Sequence, residues 1–88
     1  MSITTWRNKL IAALECCGES VDSIVSNTMS DKQMDVAFDD GFGSSEGIPF
    51  TVWTVNRVYF PACYDGSEWI ASVPRNPNGE PVRHIGGE

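Results

Sequence analysis

The feature that most constrains the fold is a series of three short β-patterned segments in the second half of the chain. Residues 50–55 consist of Thr, Val and aromatic residues, and β-branched and aromatic residues recur in residues 58–63 and 68–73; such side chains favour strands. Asn56-Arg57 provides one tight turn, and Asp65-Gly66 lies at the centre of the next. Consecutive short strands joined by tight turns predict an antiparallel meander, which requires that one of its faces is covered.

The clearest helical pattern lies at residues 3–17 and supplies part of this cover. Gly18 follows the pattern and can adopt the left-handed conformation that ends a helix. Ser2 or Thr4 can cap its start. The apolar side chains recur at helical spacing: Trp6, Leu10, Ala13, Leu14 and Cys17.

Two further helices are predicted before the meander. Ser20 is a candidate N-cap for a short helix that ends near residue 27. Ser30 and Gln33 match a capping box and favour a helix over residues 31–39, with Gly41 as its stop. The alternation of apolar residues at 34, 36 and 38 also suits a strand, but the capping box favours the helix.

These patterns predict an α+β fold, with two or three short N-terminal helices packed on a three-stranded antiparallel β-meander. A chain of 88 residues has room for one core, so we expect a single domain over residues 1–76. Several prolines and glycines follow residue 73. We therefore expect residues 77–88 to form an irregular C-terminal tail that is flexible or loosely packed.

The charge of the chain is strongly asymmetric. The net charge is −6, and residues 15–46 carry eight acidic side chains against one lysine. Phosphate backbones repel such a surface, which disfavours direct nucleic-acid binding. The same surface attracts a protein partner that is basic.

The cysteines and the lone histidine exclude several kinds of site. Cys16, Cys17 and Cys63 are odd in number and two are adjacent, which is not a secreted disulfide framework. A zinc site needs about four ligands at regular spacing, and the pattern lacks them. We therefore expect no metal, no cofactor and no membrane span, free thiols and a cytoplasmic location in a host cell.

Enzymatic chemistry is not favoured by the sequence. Nucleophilic catalysis needs a base held on a rigid support, and His84 lies in the predicted tail. We expect a non-enzymatic protein. A small cysteine-dependent enzyme that uses Cys17 or Cys63 with His84 is the alternative.

The residues expected to bind a partner fall into two groups. Asp31, Asp35 and Asp39 lie at helical spacing on the predicted helix and form a stripe of carboxylates, which Asp40 and Glu46 extend. Exposed aromatic side chains on a sheet are typical anchors of protein interfaces. If the meander exposes the face away from the helices, the aromatic anchors are Trp53, Tyr59 and Trp69.

Several stretches resemble small uncharacterised proteins that phages and prophages encode. The stretches are Pro49-Phe50-Thr51-Val52-Trp53-Thr54, Arg57-Val58-Tyr59-Phe60-Pro61, Tyr64-Asp65-Gly66-Ser67-Glu68-Trp69 and Ser72-Val73-Pro74-Arg75-Asn76-Pro77. In size and acidity the chain is also similar to anti-CRISPR proteins, which block a host defence complex by binding to it. Some of these present carboxylates where nucleic-acid phosphates would dock.

This resemblance implies an inhibitor of a host complex that handles nucleic acid. The acidic residues would occupy a basic nucleic-acid-binding site, and the aromatic residues would supply contact area. A self-associating structural phage protein, with the aromatic face as the interface of a homodimer, is a further alternative.

Overall fold

A computed structural model describes residues 3–39, 41, 47–64 and 67–85, and it confirms the α+β class. Two helices accompany two antiparallel sheets, one of four strands and one of two. In chain order the elements are β1 (Ile3–Thr4), α1 (Trp6–Cys16), a turn of 3-10 helix (Val21–Ser23), β2 (Ile24–Asn27), α2 (Asp31–Met34), β3 (Phe38–Asp39), β4 (Val52–Thr54), β5 (Arg57–Tyr64) and β6 (Ser67–Pro74).

The first predicted helix is present as α1, but it begins at Trp6 rather than at residue 3, because Ile3–Thr4 form β1, and neither Ser2 nor Thr4 is its cap. The side chain of Thr5 caps its start, because Thr5 Oγ1 accepts a hydrogen bond from the amide of Asn8 at 3.2 Å. Gly18 follows its end in the left-handed conformation, with φ of 73°. Trp6, Leu10 and Leu14 are buried, as the helical spacing predicts.

The predicted helix at residues 20–27 is wrong. Only Val21–Ser23 form a 3-10 turn, and Ile24–Asn27 form strand β2. β2 pairs antiparallel with β4, with Ile24 opposite Thr54 and an irregularity before Ser26. Two adjacent β-branched residues favour the strand once a partner strand is available. The main sheet therefore has four strands in the order β2-β4-β5-β6 rather than three.

The predicted helix at residues 31–39 is too long. The capping box is present, since Ser30 Oγ accepts from the Gln33 amide at 3.1 Å and Gln33 Oε1 accepts from the Ser30 amide at 2.9 Å. The helix nevertheless ends at Met34, and Phe38–Asp39 form β3 opposite β1. Phe38 packs against Trp6 in the core, whereas Val36 is 55% exposed, so the alternating pattern at residues 34, 36 and 38 does not describe this segment either.

The three predicted strands pair antiparallel in chain order, but they belong to a four-stranded sheet and their bounds differ from the prediction. β5 and β6 pair over eight residues each, from Tyr64 opposite Ser67 to Arg57 opposite Pro74. β4 is shorter and pairs with β5 only through Val52 and Trp53.

One hydrophobic core lies between α1, α2 and one face of the large sheet. Trp6 is at its centre, with 1% of its surface exposed. The indole Nε1 donates a hydrogen bond to the carbonyl of Ile48 at 3.0 Å. The core residues are Trp6, Leu10, Leu14, Met29, Met34, Phe38, Phe50, Val52 and Tyr59.

Residues 75–85 are exposed and have no regular secondary structure. The amide of Arg75 donates to the carbonyl of Asn56 at 2.8 Å, which ties the beginning of this segment to the turn between β4 and β5. Among the described residues, no helix has the length and apolar character that crossing a membrane requires.

Gly47 provides a test of the packing around Trp6. A Cβ at position 47 would lie 2.5 Å from Cζ2 of the Trp6 ring, so the indole would have to move. We expect Gly47→Ala to lower the free energy of unfolding by about 1–3 kcal/mol, as overpacking does in other cores. Chemical denaturation followed by tryptophan fluorescence measures this change.

Gly41→Ala is the matched control. Among the described residues its added Cβ would meet Asp39 Oδ1 alone, at 3.9 Å, which is an ordinary contact. We expect a change within about 0.5 kcal/mol for this variant. Equal stability of the two variants would contradict the packing of Gly47 against Trp6.

Candidate functional site

The large sheet has a second face that points away from the core. Directly paired residues share a face, and so do alternate residues of one strand. Trp53 pairs with Val58 and Val58 with Val73, so these three side chains share a face opposite to the buried Val52 and Tyr59. We call this surface the aromatic face; its residues are Trp53, Val58, Phe60, Ala62, Trp69, Ala71 and Val73.

The aromatic face is apolar, and among the described residues the segment after β6 borders it only at Val73. None of its residues belongs to the core cluster. Its five large side chains are each partly exposed, whereas the two alanines between them are nearly buried. Only at the β6 edge does a helix come near, where Trp69 borders a groove beside α1. A contiguous aromatic patch of this kind is typical of protein interaction sites.

Two of the three predicted aromatic anchors lie on this face, and the third does not. Trp53 and Trp69 are present there. Tyr59 is on the opposite face and fully buried, with 0% of its surface exposed, so the prediction that it is an exposed anchor is wrong. Tyr59 pairs with Val52 rather than with Trp53, and that register turns its ring to the core. Phe60, its neighbour in sequence, takes the place on the aromatic face.

On the core side, a polar network joins the segment after α1 to the sheet. Glu19 Oε1 accepts hydrogen bonds from the Tyr59 hydroxyl at 2.5 Å and from the Thr54 hydroxyl at 3.1 Å. Thr54 is fully buried and also accepts from the amides of Asn56 and Arg57, which shapes the turn after β4. Burial, and next the hydrogen bond to Glu19, raise the pKa of Tyr59 above its ordinary value.

A pocket of about 440 Å³ opens next to this network, between the end of α1 and the segment after β6. Cys17 and Arg57 line it, and both contact Ser72 Oγ: Cys17 Sγ at 3.6 Å and Arg57 Nε at 2.9 Å. The hydrogen bonds in this pocket connect three parts of the chain. These parts are the end of α1, β5 and β6. The segment after β6 is held separately by Arg75, whose amide donates to the carbonyl of Asn56 at 2.8 Å and whose Nη1 donates to the carbonyl of Thr54 at 3.0 Å.

The acidic residues do not form the predicted stripe. Asp31 is the first residue of α2, and Asp35 is the residue that ends it. Arg7 from α1 bridges the two: Nε donates to Asp35 Oδ1 at 2.6 Å, and Nη2 lies 3.4 Å from Asp31 Oδ1. The hydrogen bond to Asp35 is the main reason that the pKa of Arg7 lies above its ordinary value. One cation thus offsets part of the charge of two carboxylates, although the Asp31 side chain is 96% exposed.

The other predicted acidic residues lie elsewhere. Asp39 is in β3, opposite Ile3 in β1, and is only partly exposed. Its side chain accepts a hydrogen bond from the Gly41 amide at 3.0 Å. The helix that would have aligned Asp39 with the other two carboxylates ends five residues earlier, so that part of the prediction is wrong. Asp40 and Glu46 lie outside the described residues.

The groups considered for cysteine chemistry are spread over the fold. Cys63 is in β5 opposite Glu68, Cys17 follows α1, and His84 is in the exposed segment after β6. All three cysteines are free thiols. Within the described part of the chain, no group of three or more His, Cys, Asp or Glu residues is placed to hold a metal ion.

Comparisons with protein families, with curated proteins and with solved structures found no match to this chain.

Sequence reasoning missed the network around Glu19 and the place of Phe60. The alternation in residues 58–63 was visible, but the register against β4 decides which set faces the core. A one-residue change of register would exchange the side chains that face the core with those that face away from it. Nothing in the spacing of Glu19, Thr54 and Tyr59 indicates that they meet, because they lie on separate elements.

The hydrogen bond between Tyr59 and Glu19 gives a prediction about stability. We expect Tyr59→Phe to lower the free energy of unfolding by about 1–3 kcal/mol at neutral pH, because the variant removes a donor to a carboxylate. Because the pKa of Tyr59 is raised in the folded chain, its contribution is fully present below about pH 10 and is lost as the pH rises further. Unfolding curves from pH 7 to 11 should therefore fall less steeply above pH 10 for Tyr59→Phe than for the natural chain.

Tyr64→Phe is the control for the loss of a phenol hydroxyl at neutral pH. Tyr64 is 51% exposed at the end of β5, so we expect a change within about 0.5 kcal/mol. If Tyr59→Phe is as stable as the natural chain at pH 7, the network does not fasten the segment after α1 to the sheet.

Proposed function

We propose that the protein is a non-enzymatic protein–protein interaction module whose contact surface is the aromatic face. The observation that carries this proposal is the apolar second face of the sheet, which no helix of the described chain covers. Trp53, Phe60 and Trp69 supply large aromatic surfaces there, and aromatic side chains dominate binding energy at interfaces. On a monomer, an exposed apolar patch of this kind marks a surface that binds another molecule.

The partner that we propose is a basic, nucleic-acid-binding surface of a host defence complex, so that the protein acts as an inhibitor of the anti-CRISPR type. The net charge of −6 supports this, since it attracts a basic partner over distances of about 10 Å at moderate salt. Exposed carboxylates at Glu15, Asp22 and Asp31 contribute to that charge. Cytoplasmic action in the host follows from this proposal.

The two surfaces have different roles in this proposal. α2 packs on the core side through Met34, so Asp31 and Asp35 lie on the helical side and the aromatic face on the other. A flat interface cannot include both. The carboxylates therefore speed the encounter, and the aromatic face holds the complex together once it has formed.

Val58→Lys tests the aromatic face. Val58 is on the central strand β5, and a lysine there puts a charge into the middle of the patch. We expect at least a tenfold loss of affinity, mainly through faster dissociation, because the charge must be desolvated on binding. The protein is used as bait in a host lysate at low salt, retained proteins are identified by mass spectrometry, and the binding constants of the retained complex are then measured with purified components.

Val55→Lys is the matched control for this experiment. Val55 lies three residues away in the turn after β4, is 62% exposed and is not one of the paired strand residues that form the aromatic face. The same charge is added, so a basic partner is repelled equally by both variants. Equal loss of binding for Val55→Lys and Val58→Lys would contradict a contact through the aromatic face, and circular dichroism of both variants verifies that they fold.

Charge reversal tests the role of the carboxylates. We expect Asp31→Lys to slow association several-fold at low salt and to have little effect at high salt, because the attraction of exposed charges is screened. Glu80→Lys, an exposed position in the segment after β6, changes the net charge by the same amount. Association rates that are identical for these two variants at low salt would contradict a specific role of the α2 carboxylate.

A truncated chain separates this proposal from the alternative of a cysteine-dependent enzyme. A chain that ends at Pro77 lacks His84, the only histidine. Partner binding through the aromatic face should survive this truncation, since none of its residues lies beyond Val73. An activity that requires His84 would be lost.

A further inference from the structure

The exposed segment after β6 contains Asn78-Gly79, and Asn78 is the only asparagine of the chain that precedes a glycine. An asparagine in this position can react with its own backbone, because the nitrogen of the next residue can attack the side-chain carbon Cγ. A side chain on the next residue hinders that attack, and glycine has none. The pair therefore meets the sequence requirement for this reaction, and both of its residues are accessible to water.

The chain has five asparagines, and two of them precede an amide that stabilises regular structure. The amide after Asn8 donates to the carbonyl of Thr5 at 3.2 Å, in the first turn of α1. The amide after Asn27 donates to the carbonyl of Thr51 at 3.0 Å, next to the pairing of β2 with β4. Because these bonds must open before the nitrogen can attack, the fold protects both side chains.

Two further asparagines are protected in other ways. The amide after Asn56 donates to the hydroxyl oxygen of Thr54 at 2.9 Å, and Thr54 is fully buried. Asn76 precedes Pro77, whose ring nitrogen carries no hydrogen and cannot serve as the attacking group. Asn78 is therefore the one asparagine that the structure leaves unprotected.

The surroundings of Asn78 favour the attack. Among the described residues, the amide of Gly79 has no hydrogen-bond acceptor. Asn78 Oδ1 accepts a hydrogen bond from the amide of Glu80 at 3.0 Å. This is the oxygen on which negative charge develops when Cγ is attacked, so the Glu80 amide stabilises the transition state as a donor in an oxyanion hole does.

We propose that Asn78 is a site of spontaneous deamidation. The nitrogen of Gly79 forms a bond to Cγ of Asn78, and the side-chain nitrogen leaves as ammonia with the proton of the Gly79 amide. The product is a succinimide ring. Water then opens the ring: breaking the new bond gives aspartate, and breaking the original peptide bond gives isoaspartate. One water enters and one ammonia leaves, so no oxidant or cofactor takes part.

The reaction changes the charge of a defined place on the surface. A carboxyl group is ionised at neutral pH, so the net charge changes from −6 to −7. The new carboxylate lies at the pocket of about 440 Å³ that Asn78 lines together with Glu19 and Arg57. Because water and ammonia are released into solvent and the ring opens irreversibly, the modified fraction rises with the age of the molecule.

This inference goes beyond the proposed function, because the residues of the aromatic face end at Val73. The reaction needs no partner, so its test is carried out on the chain alone. A failure of partner binding and a failure of deamidation are therefore separate results.

The test follows the full chain during storage in warm neutral buffer. Samples are digested with trypsin and analysed by mass spectrometry, in which deamidation raises the mass by one unit because an NH2 group is replaced by OH. Trypsin cleaves after Arg75 and Arg83, so Asn76 and Asn78 share a peptide and fragmentation assigns the change to one of them. The other asparagines of the same chain are internal controls.

We expect deamidation at Asn78 to be about tenfold faster, or more, than at any other asparagine. A chain in which Asn78 keeps its mass while another asparagine gains one unit overturns the proposal. So does a chain in which all five side chains react at the same rate.

Arg57→Gly separates the effect of a free amide from the effect of glycine itself. The variant has a second Asn-Gly pair at residues 56–57, whose amide still donates to the buried Thr54 hydroxyl. We expect Asn56 to remain about tenfold slower than Asn78 in this variant. Circular dichroism verifies that it folds. Equal rates at the two pairs would show that glycine alone decides, and the structural selection of Asn78 would be wrong.

A pair of variants at Glu80 tests the donor to Asn78 Oδ1. Glu80→Pro removes both the carboxylate and the amide hydrogen, whereas Glu80→Gln removes the carboxylate and keeps the amide. We expect Glu80→Gln to deamidate at close to the natural rate and Glu80→Pro to react several-fold more slowly. Equal rates for the two variants would contradict the role of the Glu80 amide.

Discussion

The contacts of one indole ring hold together the parts of the chain that are distant in sequence. Trp6, in the first turn of α1, packs on Phe38 of the small sheet and Phe50 at the entrance to the large one, with ring centroids 4.7 and 4.9 Å away. Its Nε1 donates to Ile48, and Gly47 leaves the space that the ring occupies. Because all these contacts share one side chain, Trp6 joins the helix and both sheets in a single core.

With α1 fixed in this way, the sheet has one covered face and one uncovered face. A chain of 88 residues supplies two helices to the described fold, and both pack on the core side, where Glu19 and Tyr59 add a buried hydrogen bond at the far end of α1. A small α+β domain cannot cover both sides of a four-stranded sheet with so little helix. The aromatic face follows from this shortage, and it is the surface on which the proposed partner would bind.

The fold also determines how the negative charge of the chain can act on a binding partner. The sequence places most carboxylates between residues 15 and 46, but the structure separates the described ones among a helix end, a strand and the loops that join them. Arg7 pairs with Asp35 and Asp31, so the carboxylates that were expected to act together share a cation. The remaining negative charge is spread over the surface. A spread charge attracts a basic partner over distance, but it does not form a defined contact site for that partner.

Local patterns in the sequence determined α1, the capping box at Ser30 and the three strands of the meander, because helical periodicity, caps and tight turns depend on residues that are close in the chain. Tertiary structure decided the rest. Ile24–Asn27 form a strand because β4 provides their hydrogen-bond partners. α2 ends at Met34, and Phe38 pairs with Thr4 of β1 and packs in the core. Which face of β5 is buried depends on its register against β4, and a register is a relation between distant residues that no local pattern contains.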